Sequence, residues 1–154
     1  MVANWWQVWR LSSAERGLLV QALFLLPFTA LALWVVGFRR WQALLTRLAP
    51  IGYVRASRDG AALIREGRQL ARLVDVAARH GLYSATCLPR SLALWWLLRR
   101  RGIDSYVCIG VRKEVDRIEA HAWVELQGCA LNDDTDVRVR FAAFDRRFLS
   151  EGAA

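Results

Sequence analysis

The sequence predicts an α+β domain in which helices come first and an antiparallel β-meander follows. Apolar residues recur at helical spacing up to Arg101, the period falls to two from Ser105 onward, and Gln127-Gly128 is a hairpin turn signal after the second strand. Helices followed by strands argue against an alternating α/β sheet. At 154 residues the chain is one domain with at most a short appendage. By surface scaling it hides roughly 70% of its unfolded area, enough for a core without metal or disulfide. A hydrophobic content of 55%, with eight Trp, excludes a disordered or low-complexity chain.

Gly17 to Phe38 carries no charge and would run roughly 33 Å as one helix, about the thickness of a bilayer's hydrocarbon core. Pro27 interrupts it, and Gln21 and Thr29 soften it. It reads as two helices meeting near Pro27 that are buried or lie on a membrane surface, with a span as the alternative; Arg39-Arg40 would keep that end cytoplasmic. No basic stretch followed by a small-residue cleavage site marks a secretory signal. The texture changes at Pro50-Ile51-Gly52. Residues 1–50 therefore read as a hydrophobic helical amino-terminal segment and residues 51–154 as the main domain.

Ala61 to Arg79 reads as an amphipathic helix with Leu63, Leu70, Leu73, Val74 and Ala77 on one stripe, ended by Gly81 as a left-handed cap. A further helix begins around Cys87-Leu88-Pro89, where proline is tolerated in the first turn, and ends at Arg101-Gly102. Ser105 to Lys113 and Ile118 to Leu126 read as strands. On the second, alternation puts His121, Trp123 and Glu125 on one face and Ala120, Ala122, Val124 and Leu126 on the other.

Twenty-two basic residues against fourteen acidic ones give a net charge of +8, which suits an anionic partner. The arginines are scattered in short groups with no nucleic-acid motif beside them, so no nucleic-acid partner is expected. Cys87, Cys108 and Cys129 are odd in number and contain no CxxC pair. Neither a disulfide framework nor a zinc site is indicated, and a reducing, cytoplasmic compartment fits best.

Cys87 sits at a helix start, where unpaired N–H groups and the dipole stabilise a thiolate. His121 is mid-strand in an apolar neighbourhood, whereas helix-terminal stabilisation accounts for His80. Asn132-Asp133-Asp134 follows the hairpin turn and returns a carboxylate to the His121 strand. Together these supply a nucleophile, a base and an acid that fixes the base's tautomer. With a two-residue turn at Gln127-Gly128 the residue facing His121 is Asp134; a bulge or strand end before Asn132 would favour Asp133. Spacing leaves both open. Cys108 and Cys129 read as packing residues, and Trp95, Trp96 and Trp123 as core in preference to a substrate groove.

The runs CLPRSLALWWLLRRRG, GVRK, AHAWVELQG and LNDD resemble the leader peptidases of lasso-peptide biosynthesis, stand-alone transglutaminase-like cysteine proteases of the lasso-peptide B protein family. The resemblance covers roughly Leu70 to Phe144. It implies a transglutaminase-like, papain-like fold with Cys87 as nucleophile, His121 as base and Asp133 as the orienting acid, and Asp134 as the alternate. Arg90 matches the arginine of the family's CLxR motif; a salt-bridged structural arginine is the other reading. The implied activity is removal of the leader from a ribosomal precursor peptide through a thioester, with no metal or organic cofactor. The implied partners are a separate leader-recognition protein and an ATP-using lasso macrolactam synthetase, because the chain has no room for an extra recognition domain. Two alternatives use the same residues differently: an acyltransferase that passes the acyl group to an amine, and a membrane-associated binding protein in which Cys87 and His121 merely pack.

Overall fold

The computed structural model describes residues 12–48, 59–81, 85–114 and 117–144. Four helices, α1 (Ser13–Val35), α2 (Phe38–Leu48), α3 (Gly60–His80) and α4 (Cys87–Arg100), precede the strands β1 (Tyr106–Lys113), β2 (Ile118–Leu126) and β3 (Cys129–Ala130). A single turn, α5 (Val137–Arg140), leads into the short β4 (Ala142–Ala143). The sheet has the order β3-β2-β1-β4, and every pairing is antiparallel. The expected α+β order, helices before meander, is what the chain forms.

α1 starts at a reciprocal cap: the Glu15 N–H donates to Ser12 Oγ and the Ser12 N–H to Glu15 Oε2. The expected joint at Pro27 is not there. α1 runs through Pro27 unbroken and the chain turns at Gly37, whose φ is +81°. Proline removes one hydrogen bond but already holds a helical φ, and burial of Leu26 and Thr29 on either side keeps the helix intact. Gly37 can take the left-handed conformation that a sharp helix-to-helix turn needs.

The other helix end also differs from expectation. Gly81 is extended (φ −74°, ψ 176°), not left-handed. Its lack of a side chain serves close approach instead: a Cβ there would lie 2.6 Å from the Ala77 carbonyl oxygen and 3.3 Å from Leu23. Gly102 does take positive φ, +70°, just beyond α4.

α4 is the centre of the core, with Leu92, Leu94, Trp95 and Leu98 inaccessible to solvent or nearly so. Leu70, Val74 and Ala77 of α3, Leu19, Ala22 and Leu26 of α1, and Val107, Val124 and Leu126 of the sheet pack around it. A smaller cluster on the far sheet face joins Cys108, Trp123, Ala130, Val137 and Phe141. The predicted alternation along β2 therefore holds: Val124 and Leu126 face the helices, and Trp123 faces away. Trp95 and Trp123 are core residues, as expected.

Candidate active site

The hairpin between β2 and β3 turns on Gln127 and Gly128, both at positive φ (51° and 80°), the geometry that suits a two-residue hairpin. It pairs Leu126 with Cys129 and Glu125 with Ala130, after which β3 ends. Asn132 then takes over the ladder with its side chain. Its Oδ1 accepts from the Val124 N–H at 2.7 Å, and its Nδ2 donates to Ser91 Oγ at 3.0 Å. Ser91 Oγ in turn donates to the Ala122 carbonyl at 2.9 Å.

This substitution leaves β2 an open edge at Ala122, and the start of α4 lies against it. The Ala122 carbonyl holds Ser91, while the N–H groups of Ala122 and Leu88 both reach the sulfur of Cys87. Although α4 packs on one face of the sheet and His121 lies on the other, the two side chains meet around this edge and are hydrogen-bonded.

His121 Nε2 lies 2.5 Å from Asp133 Oδ2, which leaves Nδ1 as the ring nitrogen available to Cys87. Asp133 Oδ1 accepts from the Asp134 N–H at 2.8 Å and from Arg140 Nη2 at 2.6 Å. Simple register favours Asp134, but β3 ends at Ala130, four residues short of it, and the Asp134 side chain is 87% exposed. The structure brings Cys87, His121 and Asp133 together.

Packing fixes the imidazole from the sides. Phe141 stacks on it with ring centroids 4.9 Å apart, and the Trp123 ring lies nearly parallel at 6.2 Å. Gly110 is the residue paired with His121 across the sheet. A Cβ at Gly110 would approach Trp123 to 2.9 Å and Phe141 to 3.0 Å, so its absence lets both rings close on His121.

The electrostatics run in one direction. The hydrogen bond from His121 is the main cause that lowers the Cys87 thiol from its ordinary 9.0, against a desolvation that raises it. The same bond raises His121 above its ordinary 6.5, against burial, with Asp133 adding to the rise. Burial alone would raise Asp133, but His121, the Asp134 amide and Arg140 outweigh it and hold the carboxyl below its usual range. Both displacements favour the thiolate–imidazolium form of the pair relative to the two groups apart.

Arg90 forms an ion pair with Asp75 of α3, which also binds Arg79 at 2.8 Å; it is a salt-bridged residue tying α4 to α3. The adjoining cleft, about 750 Å³, is lined by Arg68, Arg72, Arg90, Asn132 and Asp133 among others, but not by Cys87 or His121. It therefore adjoins Asp133 and not the sulfur. Ser91, Arg140 and Phe141 are site residues that sequence reasoning missed, and Asn132 reads there only as part of the run that carries the two aspartates; in the sequence Arg140 is one more of the scattered arginines. Among the described residues no cluster of His, Cys, Asp and Glu is arranged to hold a metal ion.

A cysteine-bearing helix start, a His strand and a following Asp on an antiparallel sheet define the class. The sequence model of the transglutaminase-like superfamily matches residues 32–144, and the chain belongs to that superfamily. Among curated proteins it is similar to the microcin J25-processing protein McjB of Escherichia coli, with 37% identity over 57 residues. That stretch is 37% of this chain and 26% of the relative, so the match spans about a quarter of the relative's length. No solved structure matches the chain.

Proposed function

We propose that the protein is a cysteine peptidase that removes the leader from a ribosomally made lasso-peptide precursor, with Cys87 as nucleophile, His121 as base and then acid, and Asp133 as the residue that orients it. The observation that carries this reading is the continuous hydrogen-bonded line from sulfur through imidazole to carboxylate, with the thiol lowered and the imidazole raised. The similarity to a microcin J25-processing protein supports the substrate class.

In this reading the Cys87 thiolate attacks the scissile carbonyl, and the backbone N–H of Cys87 at the start of α4 stabilises the oxyanion. The imidazolium gives its proton to the departing amine, leaving a thioester on Cys87. His121 then takes a proton from water, which attacks the thioester and restores the thiolate. Asp133, held by Arg140 and the Asp134 amide, keeps the ring turned with Nδ1 toward sulfur. The products are the leader as a free acid and the core peptide with a free amine, the group that a macrolactam synthetase consumes. A separate leader-recognition protein is the partner that would present the precursor, and free thiols suit a cytoplasmic, reducing setting.

The deciding experiment is cleavage of the precursor followed by mass spectrometry, with the recognition protein present. Wild type yields leader and core, and Cys87→Ala loses at least about a thousandfold of that rate. Undiminished cleavage by Cys87→Ala would overturn the proposal. A product mass showing an amine in place of water would reassign the same site to acyl transfer.

A further inference from the structure

Among the described residues, the side of α1 turned away from the core is largely uncovered, with Phe28 meeting Trp41 of α2 edge-on at a ring-centroid distance of 5.3 Å. Leu19, Ala22, Leu26, Thr29 and Ala32 are buried, while Val20, Phe24, Phe28, Leu31, Trp34 and Val35 are each at least half exposed, Phe24 at 74% and Trp34 at 85%. Steps of three and four residues put Val20, Phe24, Phe28, Leu31 and Val35 on one stripe about 22 Å long. Leu44 and Leu48, one turn apart on α2, add further exposed apolar surface. Contiguous exposure of this kind marks an interaction surface.

The charge around the stripe is predominantly positive, the one acid on α1, Glu15, being engaged by Ser12 and Gln69 at the helix start. Residues 16–48 contain Arg16, Arg39, Arg40 and Arg47 and no Asp or Glu. All four arginines are exposed, and none forms an ion pair among the described residues. They lie at both ends of α1 and along α2, so the apolar centre is framed by cations. Before α1 the sequence adds Trp5, Trp6, Trp9 and Arg10, again without an acid.

We propose that the outer faces of α1 and α2 form a docking surface for an anionic lipid bilayer, with α1 lying in the plane of the interface. An anionic headgroup layer above hydrocarbon supplies both requirements at once: a fluid apolar phase for Phe24, Phe28 and Leu31, and phosphates for the framing arginines. Trp34, beside Arg39 and Arg40, has the ring chemistry favoured at headgroup depth. α1 is long and apolar enough to cross a membrane, but crossing would withdraw Leu19, Ala22, Leu26 and Ala32 from the core they share with α3 and α4. In-plane docking leaves that core intact. This surface is independent of Cys87 and His121.

The test is flotation of the full-length protein with unilamellar vesicles of phosphatidylcholine alone or mixed with phosphatidylglycerol. Wild type should bind the mixed vesicles at least about tenfold more tightly than the neutral ones, and added salt should weaken the binding. Phe24→Ser/Phe28→Ser/Trp34→Ser should lose at least tenfold of the binding to mixed vesicles. Arg39→Gln/Arg40→Gln should lose about tenfold and abolish most of the salt dependence. All these positions are exposed, so circular dichroism and Cys87 alkylation should match wild type and confirm that the variants fold. Absence of vesicle binding by the folded wild type overturns the proposal, as does equal binding by the triple variant. Two further outcomes also overturn it: self-association abolished by the triple substitution without any lipid binding, which assigns the face to a second copy, and resistance to alkaline extraction, which assigns α1 to a span.

Discussion

Cys87 and Cys108 lie on either side of β2 and meet opposite fates. Cys87 sits at the open edge, where His121 and two amide N–H groups favour its thiolate. Cys108 is paired with Trp123 within the sheet, and burial, followed by the nearby Glu125 charge, pushes its thiol up to about 12. The same contrast recurs in the carboxylates. Arg140 of α5 serves Asp133 at the edge, and Arg138, two residues earlier, clamps the fully buried Glu125 with two contacts of 2.6 Å. Trp123 Nε1 donates to Glu125 as well, at 2.7 Å. One end of the strand thus leaves a titratable pair partly exposed, and the other buries its carboxylate under an arginine. The difference arises where β3 stops.

The largest effect should come from breaking the edge. Asp133→Asn keeps the shape but removes the charge that stabilises the imidazolium, and precursor cleavage should fall roughly a hundred- to ten-thousandfold. Asp134→Asn should change it less than threefold, since Asp134 is largely exposed and lies 3.7 Å from Arg140 at its nearest. Reversal of that order would mean that the hairpin register runs through Asp134 after all.

At the closed end the effect should be on stability. Arg138→Ala leaves Glu125 buried without its cation, which costs about 2 kcal/mol, reduced from the usual penalty because the Arg138 side chain is 53% exposed. Denaturant unfolding should show a lower midpoint with an unchanged slope. Burial alone would raise Glu125, but Arg138 and Trp123 depress it below its ordinary 4.5. Its contribution is therefore present above pH 4.5 and is lost as pH falls through the depressed folded value. The Arg138→Ala penalty should shrink on acidification below that point, and a penalty independent of pH would contradict the ion pair.

Between the two ends, Gly110→Ala should cost about 1–2 kcal/mol in the same unfolding measurement, because Trp123 and Phe141 have to give way to the new methyl group. Cleavage should fall by a further several-fold at matched folded fraction as the His121 ring loosens. An unaffected rate would show that the two rings pack without positioning it.

Much of this architecture was legible because its periods are strong: β2 occupies Ile118–Leu126, and α4 begins at Cys87, where the sequence places them. The alternation along β2 likewise separated Trp123 from Val124. What failed depended on tertiary alternatives that local patterns do not encode. Pro27 signals a break, yet the burial around it holds α1 together. Gly81 signals a left-handed cap, yet it is there to let Leu23 and the Ala77 carbonyl approach. The choice between Asp133 and Asp134 turned on a side chain, Asn132, replacing a backbone partner in the ladder. Ser91 and Arg140 act across elements 30 or more residues apart or through one short turn, and nothing in their immediate sequence distinguishes them from other serines and arginines.

The most direct measurement is the pH dependence of alkylation by iodoacetamide, with modified cysteines mapped by mass spectrometry in the native full-length protein. Cys87 should react with a midpoint below the ordinary thiol value of 9.0, far faster than Cys108 at neutral pH, and His121→Ala should move that midpoint upward and slow the reaction. A Cys87 profile that titrates like an ordinary thiol and is indifferent to His121→Ala would contradict the thiolate–imidazolium pair.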